Sequence, residues 1–236
     1  QEICLRILKR EGLHMIKIER KPTEKALLAQ EDLKLAREKG TTYNTDHVNE
    51  ALREMFHGKC YICENKEATS FQIEHLIPYK GDVELKYDWN NLLWACAHCN
   101  NIKLDKYDPI IDCTQEDVEK KIAFRKEGYF GTDEKFVFIS LDDDVKTKNT
   151  VKLLHDAYYG TTSQKKMEAR IIRKHLRENI SDFKNYVREY IEAVGEDKED
   201  LELLIQNELS DKSEFTAFKR WLVRDSENLP ELKKYL

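Results

Sequence analysis

The segment from residue 60 to residue 103 contains two Cys-x-x-Cys pairs with a histidine between them. The pairs are Cys60-Tyr-Ile-Cys63 and Cys96-Ala-His-Cys99, the histidine belongs to the run Glu74-His75-Leu-Ile-Pro78, and asparagines stand at Asn91 and Asn100. A metal clamp combined with a base, a carboxylate and amide side chains provides the groups that hydrolysis of a phosphodiester requires. The spacing therefore indicates a hydrolytic site built around a metal-stabilised fold.

The four cysteines Cys60, Cys63, Cys96 and Cys99 are predicted to bind one structural Zn²⁺. Each Cys-x-x-Cys pair can turn two thiolates toward one ion, which completes a tetrahedron. Residues 64–95 separate the pairs by more than a zinc ribbon usually does, so a folded segment is expected between them. Disulfides are the weaker alternative, because no secretory signal is visible and cytoplasmic thiols stay reduced. We therefore expect a cytoplasmic protein.

The inserted segment is predicted to form two strands followed by a helix. Residues 71–75 alternate apolar and polar side chains, as a half-buried strand does, and Pro78 ends that run. Residues 91–95 read as a second strand that leads into the second cysteine pair. The chain after Cys99 can begin a helix with Asn100 near its first turn. A strand, a loop, a strand and a helix would then surround a catalytic cation.

This order of features resembles the HNH endonuclease family, whose ββα-metal (His-Me finger) module it matches over residues 57–106. The resemblance implies that His75 is the general base that takes a proton from the attacking water. It also implies that Glu74 and Asn100 hold a catalytic divalent cation. Two departures stand out, since the third motif position is Asn100 rather than a second histidine and residue 74 is Glu rather than the commoner Asp.

The same resemblance implies roles for two further residues. Asn91 would hold the loop and orient His75 through its side-chain amide, and Lys103 would face a phosphate. Asn90 is the competing choice, but Asn91 directly precedes the apolar pair that opens the second strand. His98 lies inside the second cysteine pair, where four cysteines already fill a tetrahedron, so we expect it to be a bystander.

Elementary chemistry agrees with the roles that the resemblance implies. An imidazole titrates near neutrality, so His75 can accept a proton without special tuning. The Glu74 carboxylate and the Asn100 amide oxygen form a hard oxygen site, which favours Mg²⁺ or Mn²⁺. The alternative is that His75 is a hydrogen-bonded core histidine, but its setting between two cysteine pairs favours catalysis.

The rest of the chain is expected to be mainly helical, which makes the fold α+β overall with the small ββα-metal module stapled by its Cys4 zinc site. Residues 1–14 are expected to be a leader before a start at Met15, residues 15–56 a helical segment, and residues 107–236 a helical region with a small β excursion at residues 135–141. No apolar run approaches the length of a membrane span.

The helix predicted over residues 164–192 has an apolar side and a basic side. The residues assigned to the apolar side are Met167, Ile171, Ile180, Phe183, Val187 and Ile191. The basic row consists of Lys166, Arg170, Arg173, Lys174 and Arg177. Such a row is commonly only a solvated face, and the functional alternative is a surface that tracks phosphates toward His75.

The charge balance is acidic, which is unusual for an enzyme that binds nucleic acid. The formal net charge is −5, residues 57–106 carry six Lys/Arg against seven Asp/Glu, and residues 151–192 carry nine against six. The substrate is therefore expected to be held on the basic helix or on a partner protein.

The layout also resembles the nuclease subunits of Septu-type and retron-linked anti-phage systems, in which a small HNH protein works with an ABC/SMC-like ATPase. That resemblance implies a DNA endonuclease that borrows substrate binding from its ATPase partner. Two alternatives stay open: the same fold cutting structured RNA such as tRNA, and a non-catalytic zinc module that binds nucleic acid or protein.

Overall fold

The computed structural model describes residues 17–128 and 133–236. The expectation of a leader at residues 1–14 and a start at Met15 lies outside the described residues. The division into an N-terminal segment, a nuclease module and a C-terminal region stays a prediction, because the elements of all three pack together.

Two helices open the described chain, as the sequence predicts. Helix α1, Glu24–Lys39, begins after Thr23, whose side chain accepts a hydrogen bond from the Ala26 N–H, and it ends at Gly40 with φ +66°. Helix α2, Asp46–Met55, begins after Thr45, whose hydroxyl accepts from the Val48 N–H. The two helices pack on each other, and α2 also packs on the sheet that follows.

The predicted strand, loop, strand and helix are present. Strand β1, Phe71–His75, pairs antiparallel with β2, Leu92–Cys96, so that Glu74 lies opposite Leu93 and His75 opposite Leu92. The loop between them contains helix α3, Val83–Tyr87, and a 3₁₀ turn, Trp89–Asn91. Helix α4, Ala97–Lys103, follows β2 directly.

The C-terminal region contains a second antiparallel ribbon and four longer helices. Its elements are α5 Val118–Lys121, β3 Ile122–Glu127, β4 Lys135–Ser140, α6 Val145–Tyr159, α7 Ser163–Glu192, α8 Glu196–Glu208, α9 Thr216–Asp225 and a 3₁₀ turn Pro230–Tyr235. Strand β4 is the predicted β excursion, and its partner β3 was not predicted. With two small antiparallel sheets in a mainly helical chain, the α+β prediction is confirmed.

Helix α7 has the predicted extent, but part of the assignment of its apolar side was wrong. Met167, Ile171 and Ile191 are exposed by 73%, 56% and 58%. The buried row instead consists of Ala169, Ile172, Leu176, Ile180, Phe183, Val187 and Tyr190. Successive members of that row lie three or four positions apart, which keeps them on one face of a 3.6-residue helix.

The two Cys-x-x-Cys pairs pack against the C-terminal region. Tyr158 on α6 is fully buried and donates a hydrogen bond to the Cys63 carbonyl at 2.8 Å. Helix α9 is anchored through the buried Glu119 carboxylate, which binds Arg220 at 2.9 Å and Arg224 at 3.1 Å. The zinc-type cluster therefore joins the small ββα unit to the larger helical body.

In the part of the chain that the structure describes, every helix is either too short or too polar to span a lipid bilayer.

Candidate metal-dependent active site

The four predicted zinc ligands meet in one buried cluster. The Sγ atoms of Cys60, Cys63, Cys96 and Cys99 lie within 4.8 Å of one another, and those of Cys63 and Cys96 are 3.8 Å apart. Tetrahedral metal–sulfur bonds of about 2.3 Å give sulfur–sulfur separations of about 3.8 Å. All four cysteines are free thiols rather than disulfides. The donor set therefore fits a Zn²⁺ ion.

Burial explains why such a cluster needs a cation. The pKa of the Cys99 thiol is raised well above its usual value, because burial penalises the thiolate. A divalent cation offsets that penalty by binding the thiolates directly. His98 stays outside the cluster, since its ring nitrogens contact the Glu168 carboxylate at 2.7 Å and the Ala157 carbonyl at 2.8 Å.

His75 ends strand β1 and is buried, with one ring nitrogen fixed by the loop. Its Nε2 lies 3.0 Å from the Lys86 carbonyl oxygen. A carbonyl can only accept, so Nε2 carries the proton and the neutral ring presents the lone pair of Nδ1. Nδ1 makes no hydrogen bond within residues 17–128 and 133–236. The ring is therefore held in the tautomer that a general base at Nδ1 requires.

The surroundings of His75 also favour its neutral form. Burial lowers the pKa of the imidazole below its ordinary value, while the hydrogen bond to the Lys86 carbonyl opposes that shift. Tyr43 meets the ring edge-on and Tyr79 meets it at a tilt, each with centroids 4.8 Å away. Tyr43 comes from the loop between α1 and α2, so the N-terminal helices help to form this pocket.

Asn91 fixes the loop that carries the Lys86 carbonyl. Its Oδ1 accepts from the Ile77 N–H at 2.8 Å, and its Nδ2 donates to the carbonyls of Ile77 at 2.9 Å and Leu85 at 3.0 Å. Because Leu85 directly precedes Lys86, these bonds set the position of the carbonyl that orients His75. Among the described residues the Asn91 side chain hydrogen-bonds the loop backbone and not the imidazole.

Arg20 is a second loop clamp that sequence reasoning missed. Its guanidinium donates to the carbonyls of Trp89 at 3.0 Å, Asn90 at 3.0 Å and Leu92 at 2.9 Å, which flank Asn91 on both sides. It also lies 5.5 Å from the Trp89 ring centroid. Sequence patterns assign no role to the Arg20 side chain, because the carbonyls that it contacts lie 69 to 72 residues later in the chain.

Glu74 is buried and bound to a lysine. One carboxylate oxygen lies 2.7 Å from the Lys103 ammonium, and the other accepts from the His75 N–H at 2.8 Å. Burial raises the pKa of the Glu74 carboxyl above its ordinary value, and the Lys103 charge opposes that shift. The buried carboxylate is thus neutralised by an internal cation.

The expectation that Lys103 faces a phosphate does not agree with the structure. Lys103 has no exposed surface, donates to the His75 carbonyl at 3.0 Å, and lies 3.8 Å from the Asp108 carboxylate. A fully desolvated ammonium needs such partners, because an unpaired buried charge is costly. Lys103 therefore occupies the inner side of the site, where it holds the end of β1.

Asn100 lies over the face of β1 that carries Glu74. Its Nδ2 donates to Gln72 Oε1 at 2.7 Å, and residues 72 and 74 share one face because side chains alternate along a strand. The Asn100 amide oxygen makes no hydrogen bond within the described ranges. Mg²⁺ and Mn²⁺ commonly take one or two protein oxygens together with water and substrate phosphate. The oxygens of Glu74 and Asn100 are of the chemical type that such an ion binds.

The predicted basic row on α7 divides into two groups. Arg173 donates to the Tyr158 carbonyl, Arg177 pairs with Glu134, and Lys174 lies 3.6 Å from Glu178. Lys166 and Arg170 are exposed and make no ion pair with any described residue. The row is therefore not one continuous free cationic surface.

The family model described as HNH endonuclease matches residues 60–106 of the chain. That range starts at the first zinc-type cysteine and includes Glu74, His75, Asn91 and Asn100. Residues 60–106 are an HNH endonuclease domain. The fold and the domain agree with the resemblance that the motif carries.

Two relatives extend the similarity beyond the HNH domain. The chain is 28% identical over 146 residues to the Septu protein PtuB of Bacillus thuringiensis, covering 58% of this chain and 52% of that protein. It is 36% identical over 83 residues to the Septu protein PtuB of Bacillus mycoides (strain KBAB4), covering 29% and 28% respectively. The chain thus spans about half of the first relative and under a third of the second. Comparison with solved structures gave no significant match.

Two residues that shape the His75 pocket lie outside the HNH domain. Arg20 and Tyr43 precede residue 60 and reach the loop and the imidazole from the N-terminal part of the chain. The surroundings of His75 therefore include side chains from outside residues 60–106, the range that the family model matches.

Proposed function

We propose that the chain is a metal-dependent endonuclease in which His75 is the general base. The observation that carries this proposal is the His75 imidazole, which is fixed through Nε2 on the Lys86 carbonyl and makes no hydrogen bond at Nδ1 among the described residues, with Glu74 beside it in the chain. The lowered pKa of His75 supports the neutral ring that a base requires near pH 7.

In this proposal each residue of the chain has a defined task. His75 Nδ1 accepts the proton of the water that attacks phosphorus. Asn91 and Arg20 hold the loop so that the ring keeps its orientation. Glu74 and Asn100 would hold the divalent cation, which when bound neutralises charge on the scissile phosphate. Lys103 balances the Glu74 charge from the protein side.

DNA is the proposed substrate, on the basis of the resemblance to HNH endonucleases. The groups named above act on water and phosphate, and none of them distinguishes deoxyribose from ribose. RNA such as tRNA is therefore the second candidate. A non-catalytic zinc module is the third, and it requires neither His75 nor a second cation.

The biological setting that we propose is anti-phage defence in the cytoplasm. The relatives carry the name Septu, which agrees with the second resemblance of the sequence. In that setting the chain would act with an ABC/SMC-like ATPase. A partner that supplies part of the substrate binding also fits a nuclease with a net charge of −5.

A side-by-side cleavage assay tests the proposed function. The protein, alone and as co-purified from its host, is incubated with plasmid DNA and with tRNA in Mn²⁺, in Mg²⁺ and in neither. We expect cleavage of DNA that depends on the added cation. Cleavage of tRNA alone would replace DNA by RNA, and no cleavage of either substrate by the co-purified complex would favour the zinc-module alternative.

The pH dependence of cleavage should report the depressed pKa of His75. The base is active when deprotonated, so activity is lost as the pH falls through its pKa. Because burial lowers that pKa, the acid limb of kcat/KM should have its midpoint below about 6.5, the ordinary value for histidine. A profile from pH 4.5 to 8.5 at saturating Mn²⁺ measures it, and a midpoint above 7 would contradict the assignment.

Replacing Arg20 by lysine should slow cleavage without abolishing the fold. A lysine cannot donate to three carbonyls at once in a fixed plane, so the loop that positions the Lys86 carbonyl gains freedom. We expect kcat to fall by about ten- to hundredfold, the scale of an ångström-size misplacement. Arg53→Lys is the matched control, since Arg53 is exposed on α2, and an equal effect of both variants would contradict the clamp.

A further inference from the structure

A groove beside the HNH domain combines stacked rings with cations that make no ion pair with a described residue. Two adjoining depressions, each of several hundred Å³, share His155 and Tyr159 at the end of helix α6. One continues along β4 and α6 past Lys135 and Lys152. The other continues over the first turns of α7 past Lys166 and Arg170.

Two aromatic rings in the groove, His155 and Tyr159, stack on each other and form a platform for a planar group. His155 and Tyr159 stack with centroids 4.9 Å apart and an interplanar angle of 25°, and the Arg173 guanidinium lies 5.0 Å from the Tyr159 centroid. The Tyr159 hydroxyl accepts a hydrogen bond from the Phe136 N–H at 2.8 Å and donates one to the Phe136 carbonyl at 3.1 Å. These two bonds hold the Tyr159 ring in place. The His155 side chain is 63% exposed. A planar group can therefore stack on His155 without rearrangement of the protein.

The turn between α6 and α7 is built to hold the two sides of the groove together. Gly160 has φ +76°, and a Cβ added there would lie 2.3 Å from the backbone nitrogen of Lys166. Only glycine allows the first turn of α7 to approach this closely. The approach brings the cations of α7 next to the rings of α6.

The groove has a local excess of positive charge although the chain is acidic. Lys135, Lys152, Lys166 and Arg170 are exposed and make no ion pair with any residue in the described ranges. The two acidic residues that line the groove are already engaged, because Glu134 lies 3.0 Å from Lys126 and Asp156 accepts from the Tyr107 hydroxyl at 2.6 Å. Within the described ranges these four cations therefore have no carboxylate partner.

One residue that lines the groove is next in sequence to a residue that contacts the candidate active site. Tyr107 lines the groove, and its neighbour Asp108 lies 3.8 Å from Lys103, which binds Glu74.

We propose that this groove binds a single-stranded polynucleotide, with a base stacked on His155, whose ring is backed by Tyr159, and with phosphates on the surrounding cations. Stacking platforms combined with cations that track the backbone are the means by which proteins hold single strands. A duplex offers no free base face to the platform, so single strands are favoured over duplex. This substrate class rests on the proposed nuclease function of residues 60–106, but binding does not require cleavage.

Binding measured in a cleavage-deficient protein tests the proposal. Fluorescence anisotropy is recorded for the full chain carrying His75→Ala, without added Mg²⁺ or Mn²⁺. The probes are a labelled 20-nucleotide single-stranded DNA, an RNA of the same sequence and the blunt DNA duplex. We expect at least tenfold tighter binding of a single strand than of the duplex, and the DNA and RNA arms identify the preferred sugar.

Two matched variants locate the binding in the groove. Lys166→Ala/Arg170→Ala should weaken single-strand binding at least tenfold and reduce the slope of log K against log salt by about 1.4, that is, about 0.7 for each lost phosphate contact. Lys34→Ala/Lys233→Ala removes two exposed lysines elsewhere that make no ion pair with a described residue, and it should change neither quantity. His155→Ala should weaken binding about tenfold, whereas His47→Ala, at another exposed histidine beside a carboxylate, should not.

The outcomes separate this proposal from the proposed function. Equal binding of duplex and single strand, or groove variants that bind like their controls, would overturn the groove and leave cleavage by the HNH domain untouched. Loss of single-strand binding only in the groove variants would support the groove even if the wild-type chain cleaved neither DNA nor RNA.

Discussion

Replacement of Cys99 by serine is expected to remove zinc from the protein and to abolish its cooperative unfolding transition. Cys99 is fully buried and its sulfur lies in the cluster with Cys60, Cys63 and Cys96. A structural zinc contributes on the order of 10 kcal/mol to folding, whereas whole domains are stable by about 5–15 kcal/mol. Losing one of four ligands should therefore cost most of the stability of the protein.

Zinc content by elemental analysis and thermal unfolding by circular dichroism measure this effect. Cys113→Ser is the matched control, because Cys113 is also buried but belongs to no cluster of metal ligands within the described residues. Its substitution should cost about 1–3 kcal/mol, the scale of a poorly paired buried hydroxyl. Zinc-free wild-type protein, together with equal melting of the two variants, would show that the cluster is not a structural metal site.

Replacement of His75 by alanine is expected to lower kcat/KM for nucleic-acid cleavage by about 10²- to 10⁴-fold, the usual contribution of a general base. The fold should persist, since the imidazole makes a single hydrogen bond within the described chain, to the Lys86 carbonyl. The measurement is the cleavage rate at saturating Mn²⁺, paired with circular dichroism to verify folding.

His47→Ala provides the control for His75→Ala. His47 is half exposed on α2, lies 3.1 Å from the Asp32 carboxylate, and makes no hydrogen bond to residues 76–91 in the described chain. It should cleave at the wild-type rate. If His75→Ala kept more than a tenth of that rate while folded, the base would have to be another group.

Local sequence determines much of the HNH domain, which is why its elements could be predicted. The alternation at residues 71–75 and the apolar run after Asn91 specify two short strands, and the spacing of the cysteine pairs brings the strand ends together. The loop contacts of Asn91 likewise follow from a buried amide that must satisfy its donors and acceptor.

Contacts between distant parts of the chain could not be predicted in this way. Arg20 reaches the Asn90 carbonyl across 70 residues, and Tyr43 meets His75 from a different loop. Lys103 looked like a surface lysine in a short motif, but the packing of α4 on β1 buries it against Glu74. Burial of a charge depends on partners that only the folded chain brings together.

Helix α7 shows again that the sequence predicts an element better than it predicts which of its side chains are buried. Its length follows from its pattern, but the buried row includes Ala169 and Tyr190, while the larger Met167 and Ile171 are exposed. Its cations were predicted to form one row. Phe136 of β4 and Tyr159 of α6 contact Arg177 and Arg173, whereas Lys166 and Arg170 make no ion pair with a described residue.

The Mn²⁺ dependence of cleavage tests most directly whether Glu74 and Asn100 hold a catalytic cation beside His75. The measurement is the half-saturating Mn²⁺ concentration for the wild type, Glu74→Gln, Asn100→Ala and Asn101→Ala, where Asn101 is the exposed neighbour on the same helix. We expect Glu74→Gln and Asn100→Ala to require at least about tenfold more Mn²⁺, as loss of a ligand should, and Asn101→Ala to match the wild type. Identical Mn²⁺ curves for all four proteins would contradict the account.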